Sequence, residues 1–466
     1  MRIPLPVTRT RRTSRSGKEA ATAQLGAAQL VLVAEAGTAG FYIAVTRGLA
    51  PVLMAFIGLS VEQVMLVVLA AYVMALSVLA ALRSRGAKRL RRSLVAIHGL
   101  ERITWGLLPL AALLGPLGLV AVYSLSVSLA TVSGLLLTTT IFSVFDEKSA
   151  RRVIAHRSAA AAASNIVGQL TSILVLAVMS GYSKYIYLYA LGSGVGLIAT
   201  AILAASRSLL PESARALPET RIGLEEKAVS GTVFLYIVAY MASSAVLAAA
   251  WAPYMISVLG APDYLAAGLG FVQMVTSIAA SLYWLRVPYS AYKQALLVLP
   301  LVPLAVTATR EPVLHLGLAG LYAFSATGAN LLASFLYADL SRRLGAFAAS
   351  MRVAMAAAAA QVMGLAVALI ASRLGLWAVF ASSTAYAVLA AFIALYSLPE
   401  VALVARDQAL VHARRLYMVT SAAFGFVVVV SRRTIVAVLR LLALGLALLI
   451  LLFLYRLLYY LVVLPH

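Results

Sequence analysis

Apolar segments of about 20 residues recur along almost the whole chain, and a segment of this length is what a helix needs to cross the hydrocarbon core of a membrane. Backbone polar groups must be paired in lipid, so such segments fold as helices. We predict twelve spans, at residues 29–58, 60–82, 93–114, 118–143, 159–180, 185–205, 229–258, 264–284, 294–309, 312–337, 350–372 and 375–397. The predicted fold class is an all-α polytopic membrane protein.

The composition excludes several classes of protein. Of the 466 residues, 63% are apolar and 11% are charged, whereas a soluble domain is about 45–50% apolar and about 25% charged. The absence of cysteine excludes a disulfide scaffold, a Cys-ligated metal site and a thiol nucleophile. The sequence contains no GxxxxGK[ST] phosphate loop, and no paired carboxylates or Ser/His/Asp arrangement lies at mid-depth. We therefore predict that the protein is not an enzyme and has no metal or cofactor.

Basic residues alternate between the two sides of the predicted bundle. The N-terminal tail and the breaks after spans 2, 4, 6, 8 and 10 hold clusters of Lys and Arg, whereas the odd-numbered breaks hold only Lys184, Arg310 and Arg373. Because basic residues favour cytoplasmic loops, we predict a multi-pass protein of the cell membrane with a cytoplasmic N-terminus. The net charge of +22 then reflects orientation and contact with anionic lipid, and we expect no nucleic-acid partner.

The chain divides into two halves of six spans each. Leu210-Pro211-Glu212 after span 6 recurs as Leu398-Pro399-Glu400 after span 12, which indicates a duplication. We predict these segments: a basic cytoplasmic tail at 1–23, a first half at 24–205, a cytoplasmic linker at 206–228, a second half at 229–400, a cytoplasmic segment at 401–433 and an extra transmembrane or interfacial helix at 434–466.

Two six-helix halves with a cytoplasmic middle loop resemble the major facilitator superfamily. The turn Ile57-Gly58-Leu59-Ser60 is similar to the turn before the family's second helix. The loop after span 2 resembles the family's basic loop motif at Gly86, Lys88 and Arg89, but Arg83 stands where the motif has an aspartate. The resemblance covers about 24–400 and implies a secondary transporter. Its halves are related by an axis along the membrane normal and rock about a central site.

Four ionisable side chains lie more than a turn inside the predicted spans: Glu35 and Arg47 on span 1, and Glu101 and Arg102 on span 3. Burial of charge in a membrane is costly, so each is a candidate functional residue. Arg47 is a candidate anchor for an anionic substrate group, or else a structural arginine held by neighbouring helices. Glu35 and then Glu101 are our candidates for coupling to a proton or sodium ion, and ion pairing with other helices or loops is the alternative for both. Glu35 and Arg47 are too far apart on one helix to pair directly.

Uncharged polar residues complete the predicted substrate site. Their alternative role is to form hydrogen bonds that hold neighbouring helices together. These residues are Asn165 and Gln169 on span 5, Tyr236 and Tyr240 on span 7, Gln273 on span 8 and Asn330 on span 10. We expect four histidines to lie near the membrane interfaces, namely His98, His156, His315 and His412. We expect the four tryptophans to serve mostly as interface anchors.

The predicted function is secondary active transport of a small organic anion or zwitterion by a monomer in the lipid bilayer. Two alternatives stay open. A flippase for lipids or lipid-linked saccharides would fit strongly apolar cavity walls. A transport-inactive sensor or scaffold on the same fold would fit the altered loop motif and the extra C-terminal region.

Overall fold

The computed structural model describes residues 13–83, 93–145, 147–206, 224–344, 346–398, 401–405, 407–416 and 418. Several predicted features lie outside these residues. They are the start of the basic tail, the basic loop after span 2, most of the linker at 206–228, half of the segment at 401–433 and the extra helix at 434–466.

The described chain is helical and contains no strand among these residues. We keep the span numbers for the helices that fall on each predicted span. Span 1 comprises Thr13–Val45 and Ala50–Phe56, span 2 Val61–Arg83, span 3 Leu94–Gly106 and Leu108–Leu113, span 4 Pro116–Val144, span 5 Glu147–Val178, span 6 Ser183–Ala205, span 7 Leu224–Ser257, span 8 Asp263–Trp284, span 9 Tyr292–Val298 and Leu301–Ala308, span 10 Leu314–Leu344, span 11 Ala346–Ala371 and span 12 Leu376–Ser397.

Eleven helical segments of the described chain are long and apolar enough to cross a membrane. Span 3 is the predicted span that is missing from these eleven segments. It is divided at Leu107 into helices of 13 and 6 residues, and Pro109 lies at the start of the second. Proline cannot donate the backbone hydrogen bond that would continue the first helix, which accounts for the division.

Each half has the same arrangement of neighbouring spans. In the first half span 1 contacts spans 5 and 6, and span 2 contacts span 4. In the second half span 7 contacts spans 11 and 12, and span 8 contacts span 10. Between the halves, span 2 contacts span 11 and span 5 contacts span 8. Exchanging the halves converts one of these contacts into the other, as expected for parallel repeats around a twofold axis.

Glycine allows the first helix of each half to pack closely. A Cβ atom on Gly168 of span 5 would lie 2.7 Å from the Cβ of Ala44 in span 1. A Cβ atom on Gly364 of span 11 would lie 2.5 Å from the carbonyl oxygen of Ala242 in span 7. No larger side chain fits at either position without moving a helix, and small residues have this role at many membrane helix contacts.

The halves touch at both ends of the bundle. At the predicted cytoplasmic end, buried Leu79 and Leu135 of the first half pack with Met351 and Ala358 of span 11. At the opposite end, Lys184 at the start of span 6 forms an ion pair with a residue at the start of span 8. A site between these ends can open to one side of the membrane only when the contact at that end separates.

Candidate functional site

A cavity of about 300 Å³ lies between the halves, near the middle of the helices that line it. Spans 1 to 4 line it from one side, and spans 7 and 11 line it from the other. Its polar and aromatic lining residues are Arg47, Tyr72, Trp105, Tyr123, Thr131 and Gln361. Alanines form much of the remaining wall, at positions 130, 245, 248 and 249.

Arg47 lies at a break in span 1. The first helix ends at Val45, a short 3₁₀ turn covers Arg47–Leu49, and the second helix begins at Ala50 with a proline at its start. Pro51 has no N–H with which to bond the Arg47 carbonyl, so a continuous helix is not available here. Broken membrane helices are typical of transporter binding sites. The Arg47 side chain is 29% exposed and is the one charged residue in the described lining of the cavity.

Glu101 forms an ion pair with Arg47 and is not among the described lining residues of the cavity. Its fully buried carboxylate forms ion pairs with both Arg47 and Arg102 and accepts a hydrogen bond of 3.4 Å from the Tyr42 hydroxyl. The Arg102 guanidinium carbon lies 4.2 Å from the centre of the Tyr42 ring, which is a cation–π distance. A Cβ atom on Gly196 would lie 2.9 Å from this ring, so a glycine of span 6 makes room for it. Spans 1, 3 and 6 together thus orient the arginine.

Glu35 belongs to a second buried network, nearer the predicted cytoplasmic end. Arg157 of span 5 donates a hydrogen bond of 2.7 Å to its carboxylate. Nε2 of His98 lies 3.2 Å from the other carboxylate oxygen and accepts a hydrogen bond of 2.8 Å from Arg102. Nδ1 of His98 lies 2.8 Å from the Thr200 hydroxyl. Arg102 therefore connects the Glu35 network to the Glu101 pair.

The charges in these two networks do not balance. Among the described residues, the three positive charges are Arg47, Arg102 and Arg157, the last of them 17% exposed, and the two negative charges are Glu35 and Glu101, which leaves one positive charge. His98 adds none while its Nε2 accepts the hydrogen bond from Arg102. An unpaired buried charge is costly, so this excess favours the binding of an anion. Arg47 is the member that reaches the cavity.

The predicted separation of Glu35 from Arg47 agrees with these contacts, because each pairs with other helices. The structure also corrects the expectation for three of the four tryptophans, and it shows that two histidines placed by depth alone are buried in the protein. His98 and His315 are fully buried, and His315 accepts a hydrogen bond of 2.9 Å from the indole of Trp251. Trp105, Trp251 and Trp284 are at most 3% exposed and are not interface anchors. Trp377, at 61% exposure, has the environment expected of one.

The predicted polar residues of spans 5 and 7 lie at helix contacts. Tyr236 and Tyr240 donate hydrogen bonds of 2.8 and 3.0 Å to backbone carbonyls of span 10, inside the second half. The Gln169 amide lies between the halves, 3.0 Å from where a Cβ of Gly270 would stand. Asn165 is 8% exposed, and its amide oxygen accepts no hydrogen bond from the described residues.

Gln273 is half-buried and Asn330 is exposed. Neither contributes to the described lining of the cavity, nor do the four predicted residues of spans 5 and 7. Arg47 is thus the predicted substrate-binding residue that the structure places in the cavity wall.

Sequence reasoning missed most of the aromatic lining. Tyr72, Trp105 and Tyr123 form one wall, and the rings of Trp105 and Tyr123 meet edge to face at 5.5 Å. One pattern was available for Trp105, because it follows Glu101 by four residues and therefore shares its helix face. No comparable relationship distinguishes Gln361 from other residues of its alanine-rich span.

Solved transporter structures superpose on most of the chain. A mutant of the nucleoside transporter NupG has 12% identity and a TM-score of 0.56, over 78% of this chain and 98% of that one. The xylose transporter XylE from E. coli, in a partially occluded inward-open conformation, has 13% identity and a TM-score of 0.57, over 81% and 98%. A bacterial homolog of the human lysosomal transporter Spinster has 12% identity and a TM-score of 0.53, over 85% and 96%.

No protein-family model and no curated protein sequence matches the chain. At identities near 12% the superpositions show the fold, and they confirm the fold that the resemblance in the sequence implied. The chain is an all-α, multi-pass membrane protein with the fold of the major facilitator superfamily transporters.

Proposed function

We propose that the protein is a secondary transporter that carries a small organic anion or zwitterion by alternating access. The observation that carries this proposal is the cavity between the halves, whose one charged lining residue in the described structure is Arg47. A guanidinium presents several N–H donors in a fixed plane and matches a carboxylate with two parallel hydrogen bonds. A substrate held there would contact both halves at once.

Contacts at the two ends support the alternating step. The Leu79 and Met351 contact joins the halves at one end, and the ion pair of Lys184 joins them at the other. Rocking of one half against the other would separate one contact while the other holds, and would open the site to each side in turn. Gln169 and Asn165 lie on span 5, which contacts span 8 of the other half, so their surroundings would change during rocking.

Glu35 and Glu101 are our proposed coupling residues. Both are buried carboxylates, a residue type that carries protons in membrane transporters. Glu101 contacts Arg47 directly, and Glu35 reaches it through Arg102. Loss or gain of a charge on either acid would alter the charge balance around the substrate anchor.

We further propose that the protein works as a monomer in the cell membrane, with its N-terminus in the cytoplasm.

Uptake into proteoliposomes tests the transport proposal. The purified chain is reconstituted and supplied with a pooled metabolite mixture, and the accumulated compounds are identified by mass spectrometry. We expect one or more organic anions or zwitterions to accumulate with the wild type and not with Arg47→Gln. Arg373→Gln is the matched control, because Arg373 is exposed and lies outside the cavity lining. Accumulation that is equal in Arg47→Gln and the wild type contradicts the anchoring role. Movement of lipid alone favours a flippase.

A further inference from the structure

We propose that the cavity selects a monoanion with a flat apolar body, and that it discriminates against dianions and zwitterions. This inference rests on the proposed transport function and narrows its substrate class. It concerns the number of charges on the substrate and the shape of the remainder, and both follow from the residues that surround the cavity.

The charge balance limits the substrate to one negative charge. Counted over the described residues, the two networks that include Arg47 have one positive charge in excess, so a single carboxylate makes them neutral. A dianion would leave one negative charge in the cavity, and no second basic residue belongs to its described lining. Burial of an unpaired charge in a low-dielectric site is strongly unfavourable. A second carboxylate is therefore excluded on energetic grounds.

A zwitterion meets the complementary difficulty. Its ammonium group would need a carboxylate partner, and the described lining of the cavity contains no acidic residue. Glu101, the nearest carboxylate behind Arg47, is fully buried and already pairs with two arginines. The available neutral partners are the amide of Gln361 and the hydroxyl of Thr131, which already donates to the Val127 carbonyl at 2.8 Å.

The two walls of the cavity differ in a way that suits a flat body. Tyr72, Trp105 and Tyr123 present ring surfaces from the first half. Ala245, Ala248 and Ala249 present an even, small-residue surface from span 7, because positions three and four apart share one helix face. A planar apolar group fits between rings and methyl groups, where aromatic contacts add to the energy of burial.

The volume of the cavity limits the substrate to a small molecule. Its volume of about 300 Å³ is at the lower end of the range for ligand pockets, roughly 300–1,000 Å³. That space corresponds to about ten water molecules at roughly 30 Å³ each. A single ring with one carboxylate has suitable dimensions. The neutral amide of Gln361 also lines the cavity and is placed to contact a neutral polar group of the substrate.

Equilibrium binding to the full-length protein in lipid nanodiscs tests the proposal with four probes of similar shape. Benzoate is the monoanion, benzamide its neutral counterpart, phthalate the dianion and 4-(aminomethyl)benzoate the zwitterion. We expect benzoate to bind, and each of the other three to bind at least about tenfold more weakly, the range expected when a charged hydrogen bond is lost or a charge is left unpaired. Phthalate or zwitterion binding equal to that of benzoate overturns the proposal, as does binding of none of the four.

Two variants change the charge count in opposite directions. Arg47→Gln makes the networks neutral without substrate, and should remove the preference for benzoate over benzamide. Glu101→Gln raises the excess to two positive charges, and should raise the ratio of phthalate to benzoate affinity at least about tenfold. Arg373→Gln should change neither ratio. An unchanged phthalate ratio in a folded Glu101→Gln protein contradicts the charge argument.

The variant Arg47→Lys keeps the test decisive if Glu101→Gln does not fold, because lysine retains the charge and should retain the preference for benzoate over benzamide. Loss of that preference in Arg47→Lys would contradict the charge argument. Failure of this selectivity is distinguishable from failure of the transport proposal. Accumulation of a dianion or a zwitterion from the metabolite pool would leave transport standing and overturn the monoanion inference.

Discussion

The ammonium nitrogen of Lys184 lies 2.6 Å from a carboxylate oxygen of Asp263, and this ion pair joins the first half of the chain to the second. The Tyr185 hydroxyl donates a hydrogen bond of 2.8 Å to the same oxygen. The Lys184 nitrogen also lies 4.7 Å from the centre of the Phe56 ring, where the break-containing span 1 ends. Both charged side chains are at most 10% exposed. The pair closes the end of the bundle opposite the predicted cytoplasmic face.

We predict that Asp263→Asn opens this end. The variant leaves Lys184 buried without its partner, and removing one member of a buried ion pair costs about 3–5 kcal/mol. The cost applies to the closed arrangement, in which the start of span 6 touches the start of span 8. The equilibrium therefore shifts toward the open arrangement, in which these two helix ends are apart. The chain has no cysteine, so cysteines introduced at Met179 and Val258 are its only spin-label sites. Pulsed electron paramagnetic resonance should show a longer distance component between the two labels.

Exchange of the two charges is the control for this prediction. The double variant Lys184→Asp with Asp263→Lys restores an ion pair and should return the distance distribution toward that of the labelled parent. A distribution in Asp263→Asn that equals the parent's would show that the ion pair does not hold this end closed.

Glu35→Gln should lower stability and separate coupling from structure. The substitution removes the carboxylate that accepts the hydrogen bond from Arg157 and faces His98, so we expect a stability loss of about 3–5 kcal/mol. If Glu35 also couples transport to protons, accumulation driven by a pH gradient should fall while exchange of labelled for unlabelled substrate continues. Thermal unfolding and the two transport assays measure these effects separately.

Glu311→Gln is the matched control for Glu35, because Glu311 is an exposed glutamate between spans. It should change neither the unfolding temperature nor accumulation. A destabilised Glu35→Gln protein with undiminished gradient-driven accumulation would leave Glu35 as a structural residue and remove it from the coupling mechanism.

Alanine at Gly168 or Gly364 should destabilise the helix contacts of its half. A Cβ atom at either position would overlap a neighbouring helix, and overpacking of this kind costs about 1–3 kcal/mol. At Gly134 of span 4 no described atom lies within 4 Å of the added Cβ. Gly134→Ala should therefore be neutral or up to about 1 kcal/mol stabilising, because alanine is the better helix former. Unfolding temperatures that fall equally in all three variants would contradict this account of the packing.

Much of the fold was predictable because an apolar run of about 20 residues identifies a helix that crosses the membrane. The apolar runs locate the spans, and the alternating basic breaks predict their direction. The division of span 3 at Leu107 was missed, because its flanks are uniformly apolar and only Pro109 marks the boundary. Arg47 was predicted as a site residue because a charge buried at mid-span is costly. No charged residue on its own helix lies close enough to pair with it.

The rotation of each helix about its own axis was much harder to predict. Which side of a span faces the centre depends on packing against several other helices, and a span that is apolar all round carries no angular information. Tyr240 and Tyr72 illustrate this, because both are tyrosines at mid-span. The structure turns Tyr240 toward span 10 and Tyr72 toward the cavity. His98 was similarly placed by depth alone, and its burial against Glu35 depends on span 1.

Access of a cavity residue from both sides of the membrane tests the central claim most directly. Ala248 is exposed within the cavity wall, so Ala248→Cys gives a single thiol there in a chain that has no other. The variant is reconstituted in one orientation, and a membrane-impermeant thiol reagent is added to one side or the other. The alternating-access account predicts labelling from each side, with protection by a transported substrate from both. Labelling from one side only, or from neither, would contradict it.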